Sequence, residues 1–161
     1  MNAKIFIAGS GGIGQAAGLI LAQYNFFPCT LYFGDISSDA NQRAMDFVTK
    51  GVTHECNVES VLMPSEGTTE ELDSILRKCD IILDCLPGSQ APRIAGLARK
   101  HNCHYANLTE YVQETKDVIA LSKDADTGFV LQTGLAPGFI NVLAHRLYEE
   151  FRDEYGTEIV H

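Results

Sequence analysis

The sequence predicts an α/β protein: a doubly wound, mostly parallel sheet inside a three-layer αβα sandwich. Three observations carry that prediction. Short apolar runs that read as buried strands alternate with helix-like segments along the chain. A glycine-rich turn joins the first strand to the first helix. An acid, Asp35, closes the second strand 21 positions (35 minus 14) after the last glycine of that turn.

The elements follow in order. Ile5 to Ala8 is short and rich in β-branched and aromatic residues, as a buried strand should be. Gln15 to Tyr24 carries good helix formers, with Leu19, Ala22 and Gln23 one turn apart. Thr30 to Gly34 is the second strand. Ser38 to Lys50 reads as a helix capped by Ser37 or Ser38, with Ala44, Phe47 and Val48 inward. Val52 to Val58 holds a short polar strand, expected at a sheet edge. Glu59 to Gly67 is irregular, broken by Pro64 and Gly67. Thr68 or Thr69 starts a helix to about Lys78, with Leu72, Ile75 and Leu76 inward.

Asp80 to Leu86 is a clear strand that runs into a Pro87-Gly88 turn. Ser89 to Lys100 reads as a helix with Ile94, Leu97 and Ala98 inward and Pro92 near its first turn. Cys103 to Asn107 is a fifth strand. Glu110 to Ala125 holds a helix with Val112, Val118, Ile119 and Leu121 apolar. Thr127 to Thr133 is a sixth strand. Pro137-Gly138 introduces a last helix, Phe139 to Phe151.

Gly9, Gly11 and Gly14 fit G-x-G-x-x-G. Gly9 permits the tight turn, Gly11 lets backbone approach a pyrophosphate, and Gly14 lets helix and strand pack closely. Unpaired N–H groups and the positive end of the helix dipole attract the anion. Asp35 would accept hydrogen bonds from the adenosine ribose hydroxyls. The prediction is a Rossmann fold with strand order 3-2-1-4-5-6, binding a nucleotide at the carboxyl rim. That order sets Gly9 to Gly14 opposite Leu86 to Gly88. Asp35 favours NAD over NADP: two like charges 4 Å apart cost about 4 kcal/mol at an effective dielectric of 20. No Arg follows at Ile36 to Asp39, and Arg43 is expected on a solvated helix face.

The chain has 161 residues, 45% apolar and 20% charged, which suits one packed domain. A net charge of −9 argues against nucleic-acid binding through a basic patch. No stretch approaches the roughly 20 apolar residues of a membrane span, and five glycines break Ile5 to Ile20, against a signal peptide. The odd cysteines, Cys29, Cys56, Cys79, Cys85 and Cys103, read as buried thiols in a reducing compartment, the cytoplasm.

Two later stretches, Leu83 to Gly88 and Gly134-Leu135-Ala136-Pro137-Gly138-Phe139-Ile140-Asn141, resemble motifs of the saccharopine dehydrogenase family. Tyr105 to Glu110 and Glu55-Cys56-Asn57-Val58 are similar to further segments of it, with Asn57 where that family has Asp. The resemblance implies an NAD(P)-dependent oxidoreductase acting at the carbon–nitrogen bond of an amino-acid substrate such as saccharopine or lysine. It implies Gly9, Ser10, Gly11, Gly12, Ile13 and Gly14 at the pyrophosphate, and Asp35 and Ile36 at the adenosine ribose. Asn57 and Val58 would contact adenine. Leu86 and Pro87 would lie near the nicotinamide ribose, with Asn107 and Leu108 further along. Family members usually continue into a second α/β domain. Tyr155 to His161 resembles the lead-in to it, so a fragment is expected, with a homodimer formed through that second domain.

Acid–base candidates are His101, His104, Tyr105, Glu110 and Tyr111. Glu110 suits the first turn of a helix. His101 and Cys103 are expected to diverge, so His101-x-Cys103-His104 is not expected to bind metal. Cys85 lacks a His partner and reads as a packed thiol. A competing function is a regulatory NAD-sensing domain of the potassium-channel type. The Gly134 to Asn141 run favours the enzyme. A short-chain dehydrogenase is disfavoured because no Tyr is followed four residues later by Lys.

Overall fold

The computed structural model describes residues 2–24, 28–136 and 138–156. They form β1 (Ala3–Ala8), α1 (Gly12–Tyr24), β2 (Cys29–Asp35), α2 (Ser38–Gly51), β3 (Asn57–Leu62) and α3 (Glu70–Leu76). β4 (Ile81–Asp84), α4 (Ala91–His101), β5 (His104–Asn107), α5 (Val112–Ser122), β6 (Phe129–Val130) and α6 (Phe139–Tyr155) follow. A 3₁₀ turn, Gly88–Gln90, leads into α4. Pro137 and residues 157–161, expected to open the last helix and to lead onward, lie outside the described residues.

The strands pair in the order β3-β2-β1-β4-β5-β6, and every pairing is parallel. Period-two alternation splits the core into two layers. Ile5, Ile7, Leu31 and Phe33 pack with Ala22, Ala44 and Val48 of α1 and α2. Phe6, Ala8, Ile82 and Tyr105 pack with Leu72, Leu76, Ile94, Ala98 and Val118 of α3, α4 and α5. The predicted αβα sandwich and its strand order are therefore observed.

Local signals explain the helix ends. Ser37 caps α2, its Oγ accepting from Ala40 N–H at 3.2 Å, and Thr69 caps α3 through Leu72 N–H at 3.2 Å. Asn102 ends α4 in the left-handed region at φ 56°. Pro92 sits in the first turn of α4, where a missing N–H costs nothing.

Several elements differ from expectation. β3 starts at Asn57, not Val52, because Val52 caps α2 with its N–H on the Val48 carbonyl. The strand then runs on through Leu62, a stretch the sequence suggested was irregular. α5 starts at Val112, so Glu110 precedes it. β6 is two residues long, because Gln132 turns to φ 58°. The buried line of α1 is Gly14, Gly18 and Ala22 rather than Leu19, Ala22 and Gln23. At Gly18 a Cβ would meet the Phe33 ring at 2.5 Å. Phe47, Val112 and Ile119 point to solvent. No residue of α6 is buried. Among the described residues no helix is long and apolar enough to cross a membrane.

Candidate functional site

The site begins at the turn out of β1. Gly9 has φ 99°, and a Cβ there would press on Leu86 Cδ2 at 3.0 Å and on the Cys85 carbonyl at 3.1 Å. Its N–H donates to the Gly34 carbonyl at 2.7 Å. At Gly14 a Cβ would run into the Gly9 carbonyl, so α1 can begin on top of the turn only without a side chain there. Ideal Cβ positions at Gly11 and Gly12 meet nothing within 4 Å. The first hydrogen bond of α1 runs from Gln15 N–H to the Gly11 carbonyl at 2.9 Å. The N–H groups of Gly12, Ile13 and Gly14 precede it and have no acceptor within the helix. Backbone donors, a helix dipole and open space make an anion cradle.

Ser10 shapes this cradle without adding a donor to it, because its N–H is given to Asp35. Its Oγ points inward and donates to Asn41 Oδ1 at 2.6 Å, while Asn41 Nδ2 donates to the Val61 carbonyl at 2.9 Å. Both side chains are buried. Asn41 ties the glycine turn to α2 and β3, a role not drawn from the sequence. The available signal was its helical spacing to Ala44 and Val48, which places it on the inward stripe.

Asp35 closes β2 beside the turn. Its Oδ2 accepts from Ser10 N–H at 2.9 Å and its Oδ1 from Ser37 N–H at 3.1 Å. Each oxygen keeps a lone pair for a further donor. Ile36, 69% exposed, stands next to it. Asp35 and Ile36 line a cleft of about 300 Å³ with Met63, Pro64, Leu86 and Arg93. Pro87 lines it as well.

Asn57 and Val58 are not in this cleft, which corrects their placement beside adenine. They pair with Thr30 and Leu31 at the start of β3, whereas Leu62 pairs with Asp35. Five residues of strand, about 16 Å, separate Asn57 from the rim. Met63, Pro64 and Ser65 stand where those residues were expected. A larger, open depression of about 650 Å³ borders Asn57, His54 and Thr53 at the amino edge of the sheet, away from the glycine turn.

A second cleft, about 260 Å³, is lined by Ile13, Cys85, Leu86, Leu108, Glu110 and Tyr111. Leu86 walls both clefts, so they adjoin across the switch point between β1 and β4. Asn107 lies beneath this cleft and does not line it. Its Nδ2 donates to Tyr105 Oη at 3.2 Å and its Oδ1 accepts from Gln132 N–H at 3.1 Å. Its carbonyl accepts from Thr133 N–H at 3.0 Å. The expected cofactor contact at Asn107 is thus replaced by a structural tie.

The tie continues to Asp84, another residue the sequence reading did not single out. Tyr105 Oη donates to Asp84 Oδ2 at 2.8 Å, and Leu86 N–H donates to Asp84 Oδ1 at 3.0 Å. Asp84 is 3% exposed. Burial pushes its carboxyl up to about 6, against the two hydrogen bonds that favour the anion. The Tyr105 hydroxyl is pushed up by burial and by the neighbouring Asp84. Cys85 is pushed up to about 12 by burial and Asp84, so it is a thiol at neutral pH and no nucleophile.

His101 Nε2 lies 2.7 Å from Asp73 Oδ1, and the His104 ring accepts Gly128 N–H at 2.9 Å. The two rings serve different neighbours. Among the described residues no three His, Cys, Asp or Glu side chains are placed to share a metal ion.

These residues fit a dinucleotide: a cradle for the pyrophosphate, a carboxylate for a ribose, and a cleft on either side of Leu86 for the two rings. Residues 5–131 match the family described as the saccharopine dehydrogenase NADP binding domain. No curated protein sequence matches the chain. Among solved structures, saccharopine dehydrogenase (L-Glu forming) from Saccharomyces cerevisiae aligns with TM-score 0.71 and 15% identity, over 94% of this chain and 32% of that one. Shikimate dehydrogenase of Mycobacterium tuberculosis aligns at 0.64 and 16%, over 98% and 54%. Levoglucosan dehydrogenase in complex with NADH and levoglucosan aligns at 0.65 and 18%, over 96% and 40%. At such identities the likeness shows the fold alone, and the chain spans about a third to just over half of these structures. The family match runs from β1 through β6 and takes in the glycine turn, Asp35 and the Leu86 turn. The chain therefore belongs to the saccharopine dehydrogenase NADP-binding-domain family, as a Rossmann-like domain for a nicotinamide cofactor.

Proposed function

We propose that this chain binds NAD in preference to NADP and is the cofactor domain of an oxidoreductase acting on the carbon–nitrogen bond of an amino acid. Asp35 carries the cofactor choice. Its carboxylate is held at the end of β2 by the N–H groups of Ser10 and Ser37. In that position it accepts ribose hydroxyls and repels a 2′-phosphate by about 4 kcal/mol at 4 Å and an effective dielectric of 20. The family description names NADP, so this preference is a property of Asp35 and not of the family.

Bound NAD would supply the hydride acceptor. The chain itself would hold the pyrophosphate at Gly12 to Gly14, fix the ribose at Asp35 and keep the two rings apart with Leu86. Thr109, Glu110 and Tyr111, on the cleft beyond Leu86, are polar side chains that an arriving substrate would meet. The amino-acid substrate is supported by the family and by the likeness of Gly134 to Asn141 to its motif. The solved relatives are two to three times as long, which supports a further substrate-binding domain in the working enzyme.

Calorimetric titration with NAD, NADH, NADP and NADPH tests the cofactor reading. NADH should bind at least tenfold more tightly than NADPH. Equal or tighter NADPH binding refutes the role given to Asp35, and no binding by a folded sample refutes the cofactor site. Reduction of NAD by the full-length protein with saccharopine or lysine, followed by absorbance, tests the substrate class.

A further inference from the structure

Arg93 is the cation in the cleft beside Asp35. It reaches there from the first turn of α4, and four of the five N–H donors of its guanidinium are engaged by the protein. Nη2 donates to the carbonyls of Pro64 at 2.6 Å and Gly67 at 3.0 Å. Nε donates to the Gly67 carbonyl at 3.3 Å, and Nη1 to Gln90 Oε1 at 3.2 Å. Pro64 to Gly67 has no regular secondary structure, and Gly67 turns at φ 65°. A single planar fork therefore sets the shape of a loop that would otherwise hang from the end of β3.

The position of this loop gives the clasp a function. The cleft is walled by Ile36, Met63, Pro64 and Leu86, apolar surfaces suited to the two faces of a flat ring. It adjoins Asp35, the ribose ligand, so the ring beside it is the base of the same nucleoside. Arg93 also orients Gln90. With the amide oxygen held by Nη1, the amide nitrogen is left to donate to a base. A donor there suits the unprotonated N1 of adenine and opposes the N1–H of guanine.

We infer that Arg93 is the positioning residue of the adenine slot: its fork holds the Pro64 to Gly67 loop and the Gln90 amide in the arrangement that receives the base. This rests on the nicotinamide-cofactor reading. It also assigns Arg93 a role other than gripping a 2′-phosphate, because four of its five N–H donors already serve three protein oxygens and a bidentate grip on phosphate needs two.

The test is calorimetric titration of the whole chain and of Arg93→Met with NAD, NADP and nicotinamide guanine dinucleotide. The wild type should prefer NAD to the guanine dinucleotide by about tenfold or more, the worth of one well-placed hydrogen bond. Arg93→Met should weaken NAD about tenfold and the guanine dinucleotide less than threefold, so the base preference collapses while the NAD-to-NADP ratio holds. Arg93→Lys keeps the charge and the stem, guards against loss of folding, and should fall between the two. Equal losses for both bases, or no loss, overturn the inference. So does a wild type that ignores the base. A loss confined to NADP also overturns it, since Arg93 would then be a phosphate ligand. A folded wild type that binds none of the three overturns the cofactor reading, and the inference falls with it; that result is distinct from the others because it appears before any substitution.

Discussion

Replacing Asp84 with Asn should make the protein more stable at pH 8 and slightly less stable at pH 4. Asp84 is buried at the end of β4, and its carboxyl is pushed up to about 6 from the usual value near 3.8. Between those values the folded state holds a proton that the unfolded chain has released. Wild-type stability therefore falls as pH rises through the window, and the full cost is present above it. For this group the cost is about 3 kcal/mol at pH 8 and under about 1 kcal/mol at pH 4. The amide removes that cost. It keeps an oxygen for Leu86 N–H, but Tyr105 must redirect its hydroxyl to the Ala91 carbonyl, already 3.5 Å away. One weakened hydrogen bond costs about 1 kcal/mol. The variant should gain about 2 kcal/mol at pH 8 and lose under about 1 kcal/mol at pH 4. Urea unfolding of both proteins at the two pH values reads this difference directly, and the remaining carboxylates cancel. A variant less stable than wild type at pH 8, or a difference that ignores pH, would refute the reasoning.

Two further substitutions test the rim. Asp35→Ala removes the acceptor for ribose and for the Ser10 and Ser37 N–H groups. NADH binding should fall by about ten- to a hundredfold, and the gap to NADPH should narrow; an unchanged ratio in titration would mean that Asp35 does not choose the cofactor. Asn41→Ala leaves Ser10 Oγ and the Val61 carbonyl buried without their partner, at a cost of about 3 kcal/mol. Urea unfolding should show that loss and titration a weaker NADH complex, and a loss below about 1 kcal/mol would mean that water replaces the amide.

What the sequence made legible, and what it hid, divides by the kind of signal. Apolar periodicity located the strands and helices, and the run of strand and helix implied the observed sheet order. Glycine spacing located the turn, because Gly9 and Gly14 answer backbone geometry that no other residue meets. Ser37 and Thr69 were legible as caps for the same local reason. The register of β3 was not. Val52 to Leu62 offers apolar residues in more than one frame, and the choice was made by pairing with β2 and by the end of α2. That one slip carried Asn57 and Val58 to the wrong end of the sheet. The exposure of Phe47 was hidden too: the buried stripe of α2 runs through Asn41, Ala44 and Val48, and Phe47 falls beside it.

Asn41 and Asp84 were overlooked and Asn107 was given a different role, for one physical reason. All three are polar and buried, and each is tied to a partner 20 or more positions away. One tie runs from Ser10 through Asn41 to Val61 and fixes the Asp35 side of the glycine turn. The other runs from the Leu86 turn through Asp84, Tyr105 and Asn107 to Gln132 and fixes the side toward β5 and β6. Between them, Gly9 N–H on Gly34 and Cys85 N–H on Ala8 continue the sheet bonding up to the rim. The loops at a switch point have no regular structure of their own, so without such ties they would be ordered only by the ligand. With them the rim is shaped beforehand, and binding loses less conformational freedom. Residues that never touch the cofactor should therefore set its affinity, and Asn41 is the cleanest place to see it, because one of its bonds reaches the turn from behind while the other anchors it on β3.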